Sequence, residues 1–147
     1  MRRGAGTAAR KLTKSEQMAR VRTAHTAPEI ALRREIWRLG LRYRLHANLP
    51  GRPDIVFPAA RVALFVDGCF WHRCPKHSTD PKQNEAFWKT KLSSNVTRDR
   101  RVNRELAALG WTVIRVWEHS VEGRPLATAK RVVSAVKSTV MRRVRRR

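Results

Sequence analysis

The run of five apolar residues at 62–66, Val-Ala-Leu-Phe-Val, limits the possible folds more than any other part of the sequence. An uninterrupted run of this kind is typical of a central strand that is buried on both faces of a sheet. Strand patterns also cover 42–46, 54–57 and 112–117, and helical patterns cover 26–39, 85–109 and the residues from Pro125 onward. A break near Ser93-Ser94 is expected in the second helix. The order of helix, three strands, helix, strand and helix predicts an α/β fold with one mixed sheet.

The charge balance points to an anionic partner. Lysine and arginine total 33 against 11 acidic residues, which gives a formal net charge of +22. Nucleic acid is the simplest partner for such a chain, because each neutralised phosphate releases condensed counterions. An anionic membrane is the competing partner, but no apolar stretch is long enough to span a bilayer, and Met1–Gly6 is not followed by the apolar segment of a signal peptide. We therefore expect a cytoplasmic protein that does not bind membranes.

The length of 147 residues suits one domain. We expect a disordered basic arm at 1–12, a short helix that begins near the capping-box residues Thr13–Glu16, one folded domain at 13–141 and a basic tail at 142–147. The tail arginines Arg142, Arg143, Arg145 and Arg146 are predicted to contact phosphates and not bases.

Two aspartates, Asp54 and Asp67, lie at the ends of adjacent predicted strands. Hydrolysis of a phosphodiester requires Mg²⁺ held by few carboxylates, with positions left for water and for a phosphate oxygen. Strand ends are rigid platforms for such ligands, so we predict that Asp54, together with Asp67, binds Mg²⁺. The alternative is that each is a turn aspartate, which for one Asp beside Pro or Gly is the more common role.

The only two cysteines lie in one short segment that also contains histidine. Cys69, Cys74 and His77 have the spacing C-x4-C-x2-H, and His119 follows the last strand. Tetrahedral zinc takes four ligands of these types, and a reducing cytosol favours metal over a disulfide. We predict a structural zinc site that joins the loop at 68–83 to the end of that strand. The alternative is two buried free thiols with two surface histidines.

The same loop contains His72, Phe70 and Trp71. His72 could be another zinc ligand, a catalytic acid or base, or a solvent-facing histidine; if four other residues fill the zinc site, His72 is available for proton transfer. Phe70 and Trp71 could cover the zinc site or wedge between DNA bases, and Trp88 could join them. Trp37, Trp111 and Trp117 are predicted to pack in the core.

Several of these segments together resemble the very-short-patch repair DNA mismatch endonucleases. The resemblance covers roughly 13–125 and rests on Leu49–Asp54, Val66–His72, Asn95–Arg100, Leu109–Trp111 and Val116–Glu118, with Thr26–Glu29 similar to the start of that family's first helix. It implies a restriction-endonuclease-like fold, with a four-stranded mixed sheet flanked by helices. It also implies nicking of one strand of double-stranded DNA at T·G mismatches, which arise when 5-methylcytosine deaminates. Mismatch-repair proteins and a cytosine methyltransferase would be functional partners, and we expect a monomer associated with the bacterial nucleoid.

The resemblance assigns roles to individual residues. It makes Asp54 the Mg²⁺ ligand, His72 the catalytic histidine, and Glu29 and Asp99 carboxylates that hold metal-bound water or orient His72. Phe70, Trp71 and Trp88 would insert into DNA, and zinc would be bound by Cys69, Cys74, His77 and His119. Two positions depart from the family. His119 stands where the best-known members have Cys, and Asp67 stands where some members have His, so the role of Asp67 stays open.

Other readings of the same residues remain. Glu29 has the position of a capping-box glutamate, which needs no catalytic role. A lysine two residues after the second acid is typical of restriction enzymes in general, but Cys69 occupies that position. The whole chain could also be a non-catalytic zinc-containing module that binds distorted DNA, or an endonuclease of the same fold with restriction or general repair specificity.

Overall fold

The computed structural model describes Thr13, Gln17 and residues 25–147. The predicted arm at 1–12 lies outside these residues, as does almost all of the predicted helix near Thr13–Glu16. Within the described part, the helices are α1 (Ala27–Arg38), α2 (Glu85–Ala108), α3 (Glu118–Gly123) and α4 (Pro125–Arg145), and the strands are β1 (Ile55–Phe57), β2 (Val62–Asp67) and β3 (Thr112–Trp117). None of the described helices is both long enough and apolar enough to cross a bilayer.

The described strands form one mixed sheet in the order β1-β2-β3. β1 and β2 are an antiparallel hairpin in which Ile55 pairs with Leu64. β2 and β3 are parallel, with Val62 opposite Thr112 and Asp67 opposite Trp117. Parallel neighbours need a long crossover, and α2 supplies it. The apolar run therefore forms the central strand, as the sequence predicted.

A fourth strand at 42–46 does not form as predicted among the described residues. This segment contributes one isolated antiparallel bridge, between Arg44 and Val56. Partly buried and exposed side chains do alternate along this segment: Tyr43 and Leu45 pack on the core, and their neighbours are exposed. His46, however, has a φ of 57°, in the left-handed region, which ends the extended backbone after one bridge.

Helices cover both faces of the sheet because neighbouring strand residues point to opposite sides. Val62 and Leu64 belong to a core formed with residues of α1, α3 and α4, including Leu32 and Val132. Ala63 and Phe65 face a smaller core formed with α2. The central strand is thus buried on both sides, which explains why its sequence does not alternate.

Two local expectations were wrong. Helix α2 is continuous through Ser93 and Ser94, both exposed, because its buried residues on either side hold it against the sheet and the low helix propensity of serine costs only about 0.5 kcal/mol. Trp37 is 49% exposed, lying beside Tyr43 and under the guanidinium of Arg42 instead of in the core. Helix α4 extends beyond the core, and Val144 near its end is 65% exposed.

Candidate active site and metal centre

The antiparallel hairpin brings Asp54 and Asp67 to the same end of the sheet, because β1 begins where β2 ends. We call this the catalytic end, defined by these two residues. The backbone of β2 fixes the first aspartate: Asp54 N donates to Leu64 O at 3.0 Å, and Asp54 Oδ2 accepts from Val66 N at 2.7 Å. The carboxylate is therefore anchored to the central strand and not to a mobile side chain.

Asp54 lies in surroundings that disfavour its charge. The pKa of Asp54 is raised from 3.8 to about 7, chiefly by burial; the hydrogen bond from Val66 N opposes the rise, and the nearby carboxyl group of Glu29 contributes to it. The charge of Asp67 acts in the same direction. A carboxylate in this position must bind either a proton or a cation at neutral pH.

Glu29 serves both as a helix cap and as a member of this carboxylate cluster. It lies in the first turn of α1, where Thr26 is the N-cap and accepts from Glu29 N at 3.4 Å. Its own Oε2 accepts from His25 N at 2.9 Å. The side chain is only 6% exposed and lies close enough to Asp54 to raise the pKa of that carboxyl group. The capping role and a role in the site therefore do not exclude each other.

His72 lies between two carboxylates. Its Nδ1 forms a very short contact with Asp99 Oδ2, and its Nε2 is 3.8 Å from Asp67 Oδ1. Asp99 comes from the middle of α2, whereas the backbone of His72 is held by a hydrogen bond to Gly68 O at 3.1 Å. An ionised carboxylate can only accept, so in the neutral imidazole Asp99 keeps the proton on Nδ1 and leaves Nε2 as the acceptor.

Arg115 is a residue of this site that the sequence analysis missed. Its Nη1 donates to both oxygens of Asp67, at 2.9 and 3.2 Å, and its Nε donates to Asn103 Oδ1 at 3.0 Å. The guanidinium also lies 4.2 Å from the centre of the Phe65 ring. Burial raises the pKa of Asp67, while His72 and Arg115 oppose that rise. The available signal was an arginine in the interior of an otherwise apolar strand.

The donor set at the catalytic end fits a divalent cation. Hard cations such as Mg²⁺ take carboxylate oxygens and keep several waters. Asp54 and Glu29 are close enough for their charges to interact, and among the described residues no ion pair involves Asp54. Asp67 differs because Arg115 already supplies a positive partner. A cation here would therefore be held chiefly by Asp54, with Glu29 beside it.

The four predicted zinc ligands come together in space. One ligand atom from each of Cys69, Cys74, His77 and His119 lies within 4.8 Å of every other. Cys69 Sγ is 3.2 Å and Cys74 Sγ 3.6 Å from Nδ1 of His119. Both thiols are buried, and Glu118 Oε1 accepts from Cys69 N at 2.9 Å. Two thiols and two imidazoles are a common donor set for structural zinc, so the cluster could hold a metal that joins the loop to the end of β3.

The aromatic candidates form one cluster at the start of α2. Phe70 lies 5.2 Å from Trp71 and 5.5 Å from Trp88, measured between ring centres. Trp88 is only 5% exposed, so it supports the other two rings from beneath. Phe87, which the sequence analysis did not single out, is 59% exposed and packs on Trp88 at 5.2 Å. Asn95 ties the cluster to α2 by donating to Trp71 O at 3.2 Å.

The tail arginines are not at the catalytic end. Helix α4 continues to Arg145, so the predicted boundary at 141 falls inside a helix. Arg143 donates to Gly110 O, which lies just before the start of β3. Because β3 is parallel to β2, the start of β3 lies at the opposite end of the sheet from Asp67. The structure thus brings the predicted catalytic and zinc residues together and separates the arginines from them.

Comparison with known proteins agrees with this arrangement. The profile of the family described as DNA mismatch endonuclease Vsr matches residues 8–79. A Type II nicking enzyme, V.NaeI of Lentzea aerocolonigenes, is 49% identical over 112 residues, covering 72% of this chain and 68% of that protein. The DNA mismatch endonuclease Vsr of Escherichia coli strain K12 is 40% identical over 121 residues, covering 80% of this chain and 77% of its own. V.XorIIP of Xanthomonas oryzae, also a Type II nicking enzyme, is 46% identical over 104 residues, covering 69% and 76%. The chain belongs to the Vsr family of DNA endonucleases.

Proposed function

We propose that this protein nicks one strand of duplex DNA at T·G mismatches and that it requires a divalent cation, Mg²⁺ in the cell. The observation that carries the proposal is that His72, held by Asp99 and close to Asp67, lies at the same end of the sheet as the half-buried Asp54, whose pKa is raised to about 7. Paired acid–base and carboxylate groups with such surroundings are typical of hydrolytic sites. The E. coli relative is named a DNA mismatch endonuclease, which supports the mismatch as substrate.

Each residue has a distinct part in the reaction. A bound Mg²⁺ would polarise the scissile phosphate and stabilise its developing charge. Asp54 and Glu29 would hold the cation and its water. Nε2 of His72 takes a proton from the attacking water, whose oxygen forms a bond to phosphorus as the bond to the sugar oxygen breaks. The sugar oxygen leaves with the electron pair of that bond and takes a proton from solvent water. Asp99 keeps the imidazole in the required tautomer and stabilises it once it is protonated. Asp67, bound by Arg115, limits the movement of the ring from the other side.

Recognition would combine contacts to the DNA backbone with sensitivity to how easily the base pairs of the duplex separate. Basic side chains bind phosphates without reading sequence. Phe70 and Trp71, backed by Trp88, would enter the duplex and unstack a step, which costs less at a T·G wobble than at a matched pair. Phe87 is exposed on the same cluster and would add to this surface. Coupling to mismatch-repair proteins and a cytosine methyltransferase stays a prediction, as do a monomeric state and a cytoplasmic location.

The names of two relatives favour a second candidate function, which would use the same hydrolysis of a phosphodiester bond. V.NaeI and V.XorIIP are named Type II nicking enzymes, with no mismatch in their names. A nicking enzyme that recognises a particular sequence, paired or mispaired, would use the same catalytic end. A purely DNA-binding module is disfavoured, because a binding surface gains nothing from buried carboxylates that would face phosphate.

A nicking assay separates these candidates. End-labelled duplexes with T·G, C·G and other mismatches in one fixed sequence are incubated with and without Mg²⁺. The proposal expects Mg²⁺-dependent nicking of the T·G duplex above all others, and loss of nicking in Asp54→Asn but not in Asp80→Asn, an exposed carboxylate on the loop. Equal nicking of C·G and T·G duplexes would favour sequence recognition instead. Binding without nicking in any metal would leave only the DNA-binding module.

A further inference from the structure

An arginine-rich groove lies at the end of the sheet opposite the catalytic end. We call it the arginine pole and define it by Arg61, Arg142, Arg143, Arg146 and Arg147. These residues line a cavity of about 1030 Å³ together with Gly110, Trp111 and the end of α4, and none of the described residues lining it is acidic. Five guanidinium groups in one concave surface, uncompensated by carboxylates along its walls, form a strong site for anions.

The backbone holds this groove in place. Arg61, in the turn between β1 and β2, accepts through its carbonyl from Thr112 N at 2.8 Å, which joins the turn to the start of β3. Arg143 donates to Gly110 O across the same junction. Gly110 has a φ of +83°, and a Cβ built there would lie 3.2 Å from Arg61 Nη1, so this glycine lets the guanidinium approach the chain. The pole is therefore part of the fold and not a loose tail.

The pole and the catalytic end are well separated. The six residues of β2 span about 17 Å at the usual rise per residue. Helix α4 begins near the end of β3, next to the catalytic end, and its 21 residues run back over about 30 Å to the pole. Asp54, Asp67 and His72 come from strand ends and from the loop beyond them. A duplex that enters there lies past one end of the sheet, and the pole opens past the other.

We infer that the arginine pole binds a second segment of duplex DNA, by its phosphates, while the catalytic end holds the segment to be cut. The inference rests on the proposed function for the first segment only. Guanidinium groups fit phosphate oxygens in pairs, and a groove suits a rod-shaped polyanion. The second segment can be a distant part of the same molecule or another molecule, since both present the same backbone.

The sharpest test compares two double variants with the same charge change. Arg142→Gln with Arg146→Gln alters the pole, and Arg34→Gln with Arg131→Gln removes two exposed arginines, one from α1 and one from the first half of α4. Energy transfer is measured between a donor-labelled T·G duplex of about 12 base pairs, roughly 40 Å long, and an acceptor-labelled matched duplex. We expect the wild-type and control proteins to bring the two duplexes together and the pole variant to do so only at a much higher concentration of the second duplex. The salt slope for the second duplex should fall by about 1.8 in the pole variant, since each phosphate contact contributes about 0.9.

Nicking of the short duplex is measured in parallel and should stay within about twofold in all three proteins, because the pole does not contact that segment. If the pole variant lost nicking of the short duplex and affinity for it to a similar extent, the inference would be overturned, since the pole would then hold the segment being cut. Unchanged energy transfer in that variant would also overturn it. A long duplex with one T·G site shows whether the second segment can belong to the same DNA molecule as the first. If it can, the pole variant should bind this long duplex more weakly than the control variant does.

A membrane is the competing occupant, because Val140 and Val144 are exposed beside the arginines. Vesicles of phosphatidylglycerol and phosphatidylcholine that capture the wild-type protein despite excess duplex would overturn the inference in favour of lipid. A wild-type protein that joins two duplexes but never nicks would contradict the proposed function and leave the inference standing.

Discussion

Replacing Asp54 by asparagine tests the electrostatics of the catalytic end directly. Burial is the main reason that the pKa of Asp54 rises from 3.8 to about 7, and Glu29 adds to the effect. Asparagine has nearly the same shape and can still accept the hydrogen bond that Val66 N makes to Oδ2 at 2.7 Å. It carries no charge at any pH. The variant therefore removes the cost of ionising this group and changes little else.

The raised pKa of Asp54 determines whether the free energy of unfolding increases or decreases with pH. An acid with a higher pKa in the folded than in the unfolded state binds its proton more tightly when folded, so it favours the folded protein at low pH. That contribution is complete below 3.8 and is lost as the pH rises toward 7. Since each pKa unit corresponds to about 1.4 kcal/mol, the wild-type protein loses about 4 kcal/mol over this range relative to Asp54→Asn.

The free energy of unfolding should be measured by urea titration in buffer that contains neither Mg²⁺ nor a chelator, so that zinc is kept. We expect the two proteins to be equally stable near pH 4 and the variant to be about 4 kcal/mol more stable near pH 8, with a melting temperature roughly 8–16 °C higher. Added Mg²⁺ should stabilise the wild type and not the variant. Asp80→Asn, on an exposed carboxylate, is the control. Equal stability of wild type and Asp54→Asn near pH 8 would refute the reasoning.

Three further predictions concern the other parts of the site. Purified protein should contain about one zinc per chain by metal analysis, Cys74→Ser should lose it together with thermal stability, and His72→Ala should keep it while losing about 10²–10⁴-fold in nicking rate. Trp71→Ala should lose binding and preference for T·G over C·G duplexes together; a variant that binds as tightly with unchanged preference would contradict the wedge. Arg115→Gln should lower kcat about 10–100-fold with little change in KM, and should change the pH profile of nicking, whereas Arg115→Lys should recover part of the rate. An unchanged pH profile in Arg115→Gln would reduce Arg115 to a structural residue.

The sequence predicted the site best where its residues are close along the chain or at the ends of paired strands. Cys69, Cys74 and His77 share one loop, so their spacing was enough to predict that they meet. Asp54 and Asp67 border strands that had to pair, because a central buried strand needs a neighbour on each side. In these cases local pattern and tertiary structure carry the same information.

Other features depended on geometry that no local pattern encodes. The face on which Arg115 projects follows from the register of β3 against β2, which pairs Arg115 with Phe65. The strand predicted at 42–46 has the right alternation but is stopped by the backbone of His46. The tail arginines looked like DNA contacts from composition, but their distance from the catalytic end depends on the direction in which α4 runs across the sheet.

The two strand-end aspartates show how far pattern and environment can diverge. Both have raised pKa values because of burial, and by sequence they are equivalent candidates for Mg²⁺. Asp67 is paired with Arg115 through both oxygens, so a cation beside it would meet a guanidinium as well as a carboxylate. Asp54 instead lies near a second carboxylate, Glu29, and within the described part of the chain no arginine, lysine or histidine forms an ion pair with it. Charge balance therefore divides the roles: a cation is favoured at Asp54, where it relieves repulsion, whereas Asp67 and its arginine are suited to holding His72 in place.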